Sequence, residues 1–500
     1  MSLKNATLIS LASQMASIAY SLVSVPLLLS QYGKELFGIW GLINGLVAYL
    51  SLSNFGIPTA ATVYIAISQN LPSSILIYKR SFRLLLLTTF VIAFLLLLSH
   101  YFLHWQSIFG KVTTANLGTA KLAASIMIIG FMLKVPLSIA IAGFAGVQRI
   151  ELSRLYELIN STVAFGGLLG VVNVEGDLVL LAIVISSGSF GVSLFAFAHF
   201  SIAFKQGVTQ NTFTDKIISY KELITKSFFY FQVGLASTLV WNFNPFLLSH
   251  IIGAVAIPYF TIPHRLFALS LGVVTLISGL LVPLYARLAA GNDWDKIHRL
   301  YGSLIILLPL VSGCIWIGGS FICQPIINLW IGRSDIEVDP VLVFFLGAYG
   351  FIFSKIHTQS ALLTALNSAR KTATIAWIEA LLNLAITIPA VYFLGIAGAA
   401  IGTFFAALIG PYSMISTALL LEGVKVSYLR KYERFLIGIT IIYALIGALL
   451  SNLIRDQIWI SILCGCFLIL TYLLTFFFGI GRVGRHKFVE MLSKFLRINT

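Results

Sequence analysis

Apolar runs long enough to cross a bilayer recur along the whole chain of 500 residues, separated by short polar connections. About 20 apolar residues in a helix span the hydrocarbon core, and a backbone inside lipid must satisfy its own hydrogen bonds. The runs are apolar on all sides and do not alternate every second residue, so they predict helices and not barrel strands. Only 10% of the residues are charged, whereas soluble domains carry about 25%. The sequence therefore predicts an all-α polytopic membrane protein with about 14 transmembrane helices, at 6–30, 37–67, 82–103, 120–147, 155–174, 178–204, 223–252, 256–289, 300–328, 340–366, 372–394, 396–421, 435–453 and 457–480.

Basic residues are distributed unevenly between alternate connections, and this predicts the orientation of the helices. Most of the 32 Lys and Arg residues lie in one set of connections, as is typical of cytoplasmic loops. An even number of spans would place both termini on that side, in the cytoplasm. The net charge of +15 thus indicates topology and does not predict a nucleic-acid partner. The opposite set of connections holds only Lys34, Lys111, Lys121, Arg333 and Arg455.

Two lobes of six helices each, followed by two further helices, are predicted from the positions of the connections. The longest internal cytoplasmic connection, 205–222, would link an N-terminal lobe at 1–204 (spans 1 to 6) to a C-terminal lobe at 223–423 (spans 7 to 12). Spans 13 and 14 follow within 424–481. The segment 482–500 has apolar residues at helical spacing with basic residues between them. This pattern predicts an amphipathic helix on the cytoplasmic surface of the membrane.

Three basic residues, Lys134, Arg265 and Lys355, lie deep inside predicted spans, whereas the other basic residues lie at span ends or in connections. A charge at the centre of a membrane helix costs roughly 2.5 to 3.5 kcal/mol on insertion scales, so each must be solvated. One interpretation is that each pairs with a buried carboxylate or carbonyl and serves stability. The other is a hydrated cationic cavity between the lobes, because Glu379 is the one acid that lies away from the ends of the spans. Such a cavity would bind an anion such as a phosphate or diphosphate.

Polar side chains on other spans are candidates either for contacts with a sugar or for helix packing. Gln14 lies in a stripe of polar residues on one face of the first span. The segment WNFNP at 241–245 contains Trp241, Asn242 and Asn244, and aromatic rings with amides suit sugar recognition. Both features also have structural explanations, since small polar residues allow close helix packing and Pro245 would kink a helix.

Glu379 and His357 are candidates for ion coupling, because titratable groups inside membrane helices mark ion and proton pathways. A structural ion pair explains Glu379 equally well. No phosphate-binding loop of the form GxxxxGK[ST] occurs, which excludes ATP hydrolysis through that motif. No catalytic residue, metal site or cofactor is predicted.

The stretch at 28–68, LLSQYGKELFGIWGLINGLVAYLSLSNFGIPTAATVYIAIS, resembles the first-hairpin signature of the polysaccharide-transporter family, the O-antigen flippases of Wzx type. PYFTIPHRLFAL and LGAYGFIFSKIHTQSALL, in the second half of the chain, are also similar to that family. The resemblance implies two helical lobes around a central cavity that opens by alternating access. It further implies transport of undecaprenyl-diphosphate-linked oligosaccharide units from the cytoplasmic to the periplasmic leaflet of the bacterial inner membrane. The expected partners are this lipid-linked unit, the bilayer, H+ or Na+ as a coupling ion, and the polysaccharide polymerase machinery.

Multidrug (MATE) exporters and lipid II flippases belong to the same superfamily and remain alternatives. A multidrug exporter would be expected to hold cationic drugs with an acid, yet spans 1 to 4 contain no Asp or Glu. A lipid II flippase would need a similar cationic cavity for its diphosphate. A membrane glycosyltransferase or polymerase would need a large external loop with clustered catalytic residues, and no connection here supplies one. We therefore expect a transporter and not an enzyme.

Overall fold

In the computed structural model, the regular secondary structure of the described residues is helical. The described residues are 3–68, 71–102, 104–147, 149–205, 218–332, 336–366, 368–424, 430–451 and 458–481. Within them, 13 helical segments are long and apolar enough to cross a bilayer. The prediction of an all-α polytopic membrane protein is therefore confirmed. The basic tail at 482–500 and residues 206–217 of the predicted linker lie outside the described residues.

The N-terminal part of the chain contains nine α-helices among the residues that the structure describes. Two 3₁₀ turns, Ser51–Asn54 and Ala254–Ala256, supplement them. The helices are α1 (Leu3–Leu50), α2 (Ile57–Ile67), α3 (Leu71–Phe102), α4 (Trp105–Phe109), α5 (Thr114–Leu137), α6 (Ile139–Gly146), α7 (Ile150–Asn173), α8 (Leu178–Lys205) and α9 (Tyr220–Ile251).

Eight further α-helices follow in the described residues of the C-terminal part. They are α10 (Ile257–Ala290), α11 (Trp294–Ile331), α12 (Pro340–Ala365), α13 (Ala369–Leu394), α14 (Ile396–Ile409), α15 (Pro411–Leu421), α16 (Arg430–Ser451) and α17 (Ile458–Gly479). Helix α16 begins five residues before the predicted span at 435–453, so it includes Glu433.

Helix α1 contains the first predicted span and the start of the second, joined by a break at Gly33. Its 48 residues would extend about 70 Å if straight, more than twice the hydrocarbon thickness of a bilayer. Gly33 has φ 71° and ψ −179°, a conformation that glycine adopts without the steric penalty of a Cβ atom. The break at Gly33 therefore explains why 13 long segments correspond to about 14 predicted spans.

The contacts between helices divide the chain into two compact units, Met1–Pro258 and Tyr259–Thr500. Helix α9, which corresponds to the seventh predicted span, packs on α1 and α2 and so belongs to the first unit. The arrangement of two six-helix lobes and the cytoplasmic location of both termini stay predictions.

Aromatic packing fixes α6, α7 and α8 against one another in the N-terminal unit. The rings of Phe144 and Phe200 meet edge to face with their centroids 4.9 Å apart, and Phe144 also stacks on Tyr156 at 5.8 Å. Tyr156 Oη and His199 Nδ1 are joined by a hydrogen bond of 2.7 Å. Such aromatic pairs contribute about 0.5–1.5 kcal/mol beyond the area they bury.

Helices α5 and α8 approach each other closely at Gly130. A Cβ atom built on Gly130 would lie 2.5 Å from the Cβ atom of Ser186, a separation that real side chains do not adopt. Small residues at such contacts let two membrane helices pack backbone to backbone. The close approach brings the next turn of each helix together, and that turn carries Lys134 on α5 and Ser189 on α8.

Candidate functional site

Lys134 lies on α5, one turn before the helix ends at Leu137, and about 18 Å from the end of the following helix at Gly146. Its Nζ atom donates a hydrogen bond of 2.8 Å to Ser189 Oγ on α8. The side chain is partly exposed, and no carboxylate in the described part of the chain forms an ion pair with it. An ammonium group has three donors, and the hydroxyl of Ser189 accepts one of them. Lys134 can therefore donate a hydrogen bond to a bound anion while it keeps its hydrogen bond to Ser189.

Pro136 loosens the backbone beside Lys134. It lies inside α5, and because proline has no N–H, the helical hydrogen bond from residue 136 is missing. The Ser138 N–H shares the carbonyl oxygens of Lys134 and Val135, both at 3.2 Å, where α5 passes into α6. The ammonium thus lies next to a helix junction that is predicted from sequence by the proline.

Lys355, in contrast, has a carboxylate partner. Its Nζ atom forms an ion pair with Glu433 Oε1 on α16, and the two side chains are 12% and 20% exposed. The same Nζ atom lies 4.0 Å from the centroid of the Tyr412 ring on α15, within range of a cation–π interaction. Of the two interpretations given above for Lys355, the structure shows the ion pair.

The idea that Glu379 is the one acid available to the three cations is wrong for Lys355. Hydropathy leaves Glu433 in a connection, because the predicted span begins at residue 435. The helix begins at Arg430 instead, so Glu433 lies in its first turn and reaches α12. The helical signal that could have found it is weak, since three of the five residues at 430–434 are basic.

Arg265, on α10, is partly exposed. The preceding residue, His264, stacks on Phe260 with centroids 5.5 Å apart. His357, on α12, likewise stacks on the ring of Phe353 at 5.2 Å. Glu379 lies on α13, and within the described residues no ion pair or hydrogen bond joins it to another group. Ion coupling through Glu379 and His357 is therefore still a prediction.

The candidates for sugar contacts differ in accessibility. Gln14 is exposed on α1, whereas its neighbour Ser17 bonds Ser161 Oγ on α7 at 3.0 Å, so part of that stripe packs helices together. Trp241 and Asn242 are partly exposed on α9, and Asn242 Nδ2 lies 3.4 Å from the Thr238 carbonyl oxygen. Asn244 is buried at 5% exposure.

Helix α1 connects these elements, because both α5 with Lys134 and α9 with Trp241 pack on it. Helix α9 continues through Pro245 to Ile251 without a break.

No group of three or more His, Cys, Asp or Glu residues that could hold a metal ion occurs in the described part of the chain.

Residues 2–289, more than half of the chain, match the profile of the family described as polysaccharide biosynthesis protein. The chain belongs to this family. The matched region includes Lys134, Arg265 and the WNFNP segment, whereas Lys355 and Glu379 lie beyond it. The resemblance noted in the sequence is thus confirmed at the level of the family.

A curated relative of this polysaccharide biosynthesis family member is a putative O-antigen transporter of Salmonella typhi. It is 23% identical over 374 residues, which cover 70% of the present chain and 80% of the relative.

Two groups of solved structures share the fold. A lipid II flippase, MurJ, in an inward closed conformation matches with a TM-score of 0.68 and 16% identity, covering 95% of this chain and 100% of that one. An inward-facing multidrug resistance MATE transporter matches with a TM-score of 0.64 and 14% identity, covering 83% and 100%. At these identities the similarity establishes the fold alone.

Proposed function

We propose that this protein is a flippase that moves undecaprenyl-diphosphate-linked oligosaccharide repeat units of the O-antigen type from the cytoplasmic to the periplasmic leaflet of the bacterial inner membrane. The observation that carries the proposal is Lys134, a partly exposed ammonium in a membrane-spanning helix whose described partner is a neutral hydroxyl. Membership of the polysaccharide biosynthesis family and the O-antigen transporter relative support the sugar-linked substrate.

The diphosphate is the part of the substrate that needs a cation within the membrane. Lys134 supplies a compact positive charge, and Arg265 offers a planar group that can bind phosphate oxygens with two parallel bonds. The exposed Gln14 and the partly exposed Trp241 and Asn242 are proposed to contact the sugars. Asn244 would join them only after a rearrangement of α9, because it is buried here.

Transport by alternating access requires no covalent chemistry, so we propose a transporter and not an enzyme. The energy would come from H+ or Na+ entering the membrane with Glu379 or His357 as the coupling group, since charged groups inside spans mark such pathways. The polymerase machinery that uses the delivered units would be the partner on the periplasmic side.

A lipid II type flippase is the second candidate, because its substrate has the same diphosphate and its fold matches. A multidrug exporter fits less well, since spans 1 to 4 lack the acid that would hold a cationic drug.

Deletion of the gene, followed by analysis of lipid-linked intermediates, tests the proposal against both alternatives. We expect loss of surface O antigen and accumulation of the undecaprenyl-diphosphate-linked unit on the cytoplasmic side. Accumulation of lipid II would support the second candidate and contradict the O-antigen assignment. Normal lipid intermediates with increased drug sensitivity would contradict both flippase functions.

A further inference from the structure

The C-terminal unit contains a cavity of about 390 Å³ whose lining includes neither Lys134 nor Arg265. It is lined by α15 and the start of α16, by residues two to three turns after the start of α11, and by residues two to three turns before the end of α12. The charge distribution predicts that these termini lie at the cytoplasmic side of the membrane. A cavity with basic side chains and apolar walls at this depth is accessible to headgroups and to soluble anions.

Basic side chains outnumber acidic ones around the cavity. Lys355, Arg430 and Arg434 line it together with a single carboxylate, that of Glu433. The two arginines lie one turn apart on α16 and are exposed, whereas Lys355 lies deeper and is bound to Glu433. The rim therefore carries the two positive charges of the arginines, and the base carries the ion pair of Lys355 with Glu433.

Neutral hydrogen-bonding groups form another part of the wall. Gln359 Nε2 donates to Tyr301 Oη at 2.9 Å and to Ser416 Oγ at 3.0 Å, which fixes the amide between α11 and α15. Ser413 also lines the cavity. Hydroxyl groups can donate to phosphate oxygens, and they reorient at little cost.

Apolar side chains complete the wall beside the rim. Leu419, Leu420 and Val424 line the cavity, and Leu420 is 44% exposed. A ligand with a charged head and an apolar chain would satisfy both surfaces. Basic pockets between membrane helices on the cytoplasmic side are known to hold anionic headgroups.

We infer that this cavity binds a phosphate-ester anion, with Arg430 and Arg434 at the rim and Lys355 at the base. When no ligand is bound, Lys355 forms its ion pair with Glu433. The carboxylate of Glu433 therefore competes with the phosphate for the Lys355 ammonium. The ligand chemistry is a phosphate ester, which a phospholipid headgroup or a soluble phosphate ester can supply. The lining includes neither Lys134 nor Arg265, so binding at this cavity can be tested separately from the flippase proposal.

Titration of the purified full-length protein in detergent with phosphatidylglycerol tests the inference, and each variant's thermal shift is measured against its own ligand-free value. Arg434→Gln should weaken the apparent affinity about fivefold, as expected for the loss of one basic residue near a headgroup. Glu433→Gln should strengthen it, because Lys355 is then released for the ligand. Lys431→Gln is the matched control, since Lys431 is exposed on the same helix and does not line the cavity.

Two comparison ligands identify what is bound. Diacylglycerol with the same chains lacks the phosphate and should produce no shift that depends on Arg434. If sn-glycerol 3-phosphate also produces thermal shifts, and the variants rank by affinity as they do for phosphatidylglycerol, a soluble phosphate ester is sufficient. If only phosphatidylglycerol produces a shift, the ligand is a lipid headgroup. Equal affinities in Arg434→Gln and Lys431→Gln, or weaker binding in Glu433→Gln, would overturn the inference.

Discussion

Lys134 Nζ and Ser189 Oγ lie 2.8 Å apart and join α5 to α8 by a hydrogen bond. The contact depends on the close approach of the same two helices one turn earlier, at Gly130 and Ser186. Residues 130 and 134 are four apart on α5, and residues 186 and 189 are three apart on α8, so each pair shares one helix face. The geometry of the ammonium is therefore set by a glycine that never contacts it.

Replacement of Gly130 by alanine should separate α5 from α8. The added Cβ atom would lie 2.5 Å from the Ser186 Cβ atom, and overpacking of this kind costs about 1–3 kcal/mol. We expect a lower midpoint of thermal unfolding and weaker transport. Gly118→Ala is the control, because Gly118 is on the same helix and a Cβ there meets nothing within 4 Å. If the two variants are equally stable and active, the close approach does not position Lys134.

Removal of Lys355 should destabilise the C-terminal unit through Glu433. Lys355→Met leaves a largely buried carboxylate without its partner, and breaking such a pair costs about 3–5 kcal/mol. The double variant Lys355→Met with Glu433→Leu removes both charges and should recover much of the loss. Thermal unfolding of the two variants in detergent measures the difference. A double variant no more stable than Lys355→Met would show that the ion pair is not what the single change disrupts.

The stability of the connection between α13 and α15 should depend on acid pH through Glu422. Hydrogen bonds from Lys371 Nζ at 2.5 Å and Ser368 Oγ at 2.6 Å hold the pKa of the Glu422 carboxyl below its usual value of 4.5. Because the folded pKa is lowered, the carboxylate contributes stability above about pH 4.5, and this contribution is lost as the pH falls through the folded pKa.

Glu422→Gln should therefore lower the unfolding temperature at neutral pH, and the difference from the parent protein should shrink below pH 4.5. Glu337→Gln, an exposed carboxylate in a loop, is the control and should show no such trend. A constant difference across the whole pH range would mean that the glutamine acts through packing and not through the lost charge.

The sequence predicts the positions of the membrane helices well, but it does not predict the partners of Lys134 and Lys355. Apolar runs of spanning length located the membrane helices, since lipid permits few other backbone structures. Hydropathy alone does not define helix ends precisely, and for that reason it does not connect Glu433, which lies two residues outside its predicted span, with Lys355. Lys134 is recognisable by its charge alone, whereas Ser189 lies among several serines and glycines whose order does not reveal which one contacts α5.

Binding of the transported lipid's diphosphate by Lys134 can be measured in proteoliposomes. The measurement is the rate at which an undecaprenyl-diphosphate-linked oligosaccharide in one leaflet becomes accessible to a reagent on the other side. Lys134→Ala should reduce this rate about tenfold or more, as expected for the loss of a charge-assisted hydrogen bond. Lys121→Ala, which removes an exposed lysine from the same helix, should leave it unchanged at equal incorporation. Equal rates for the two variants would contradict the binding of the diphosphate by Lys134.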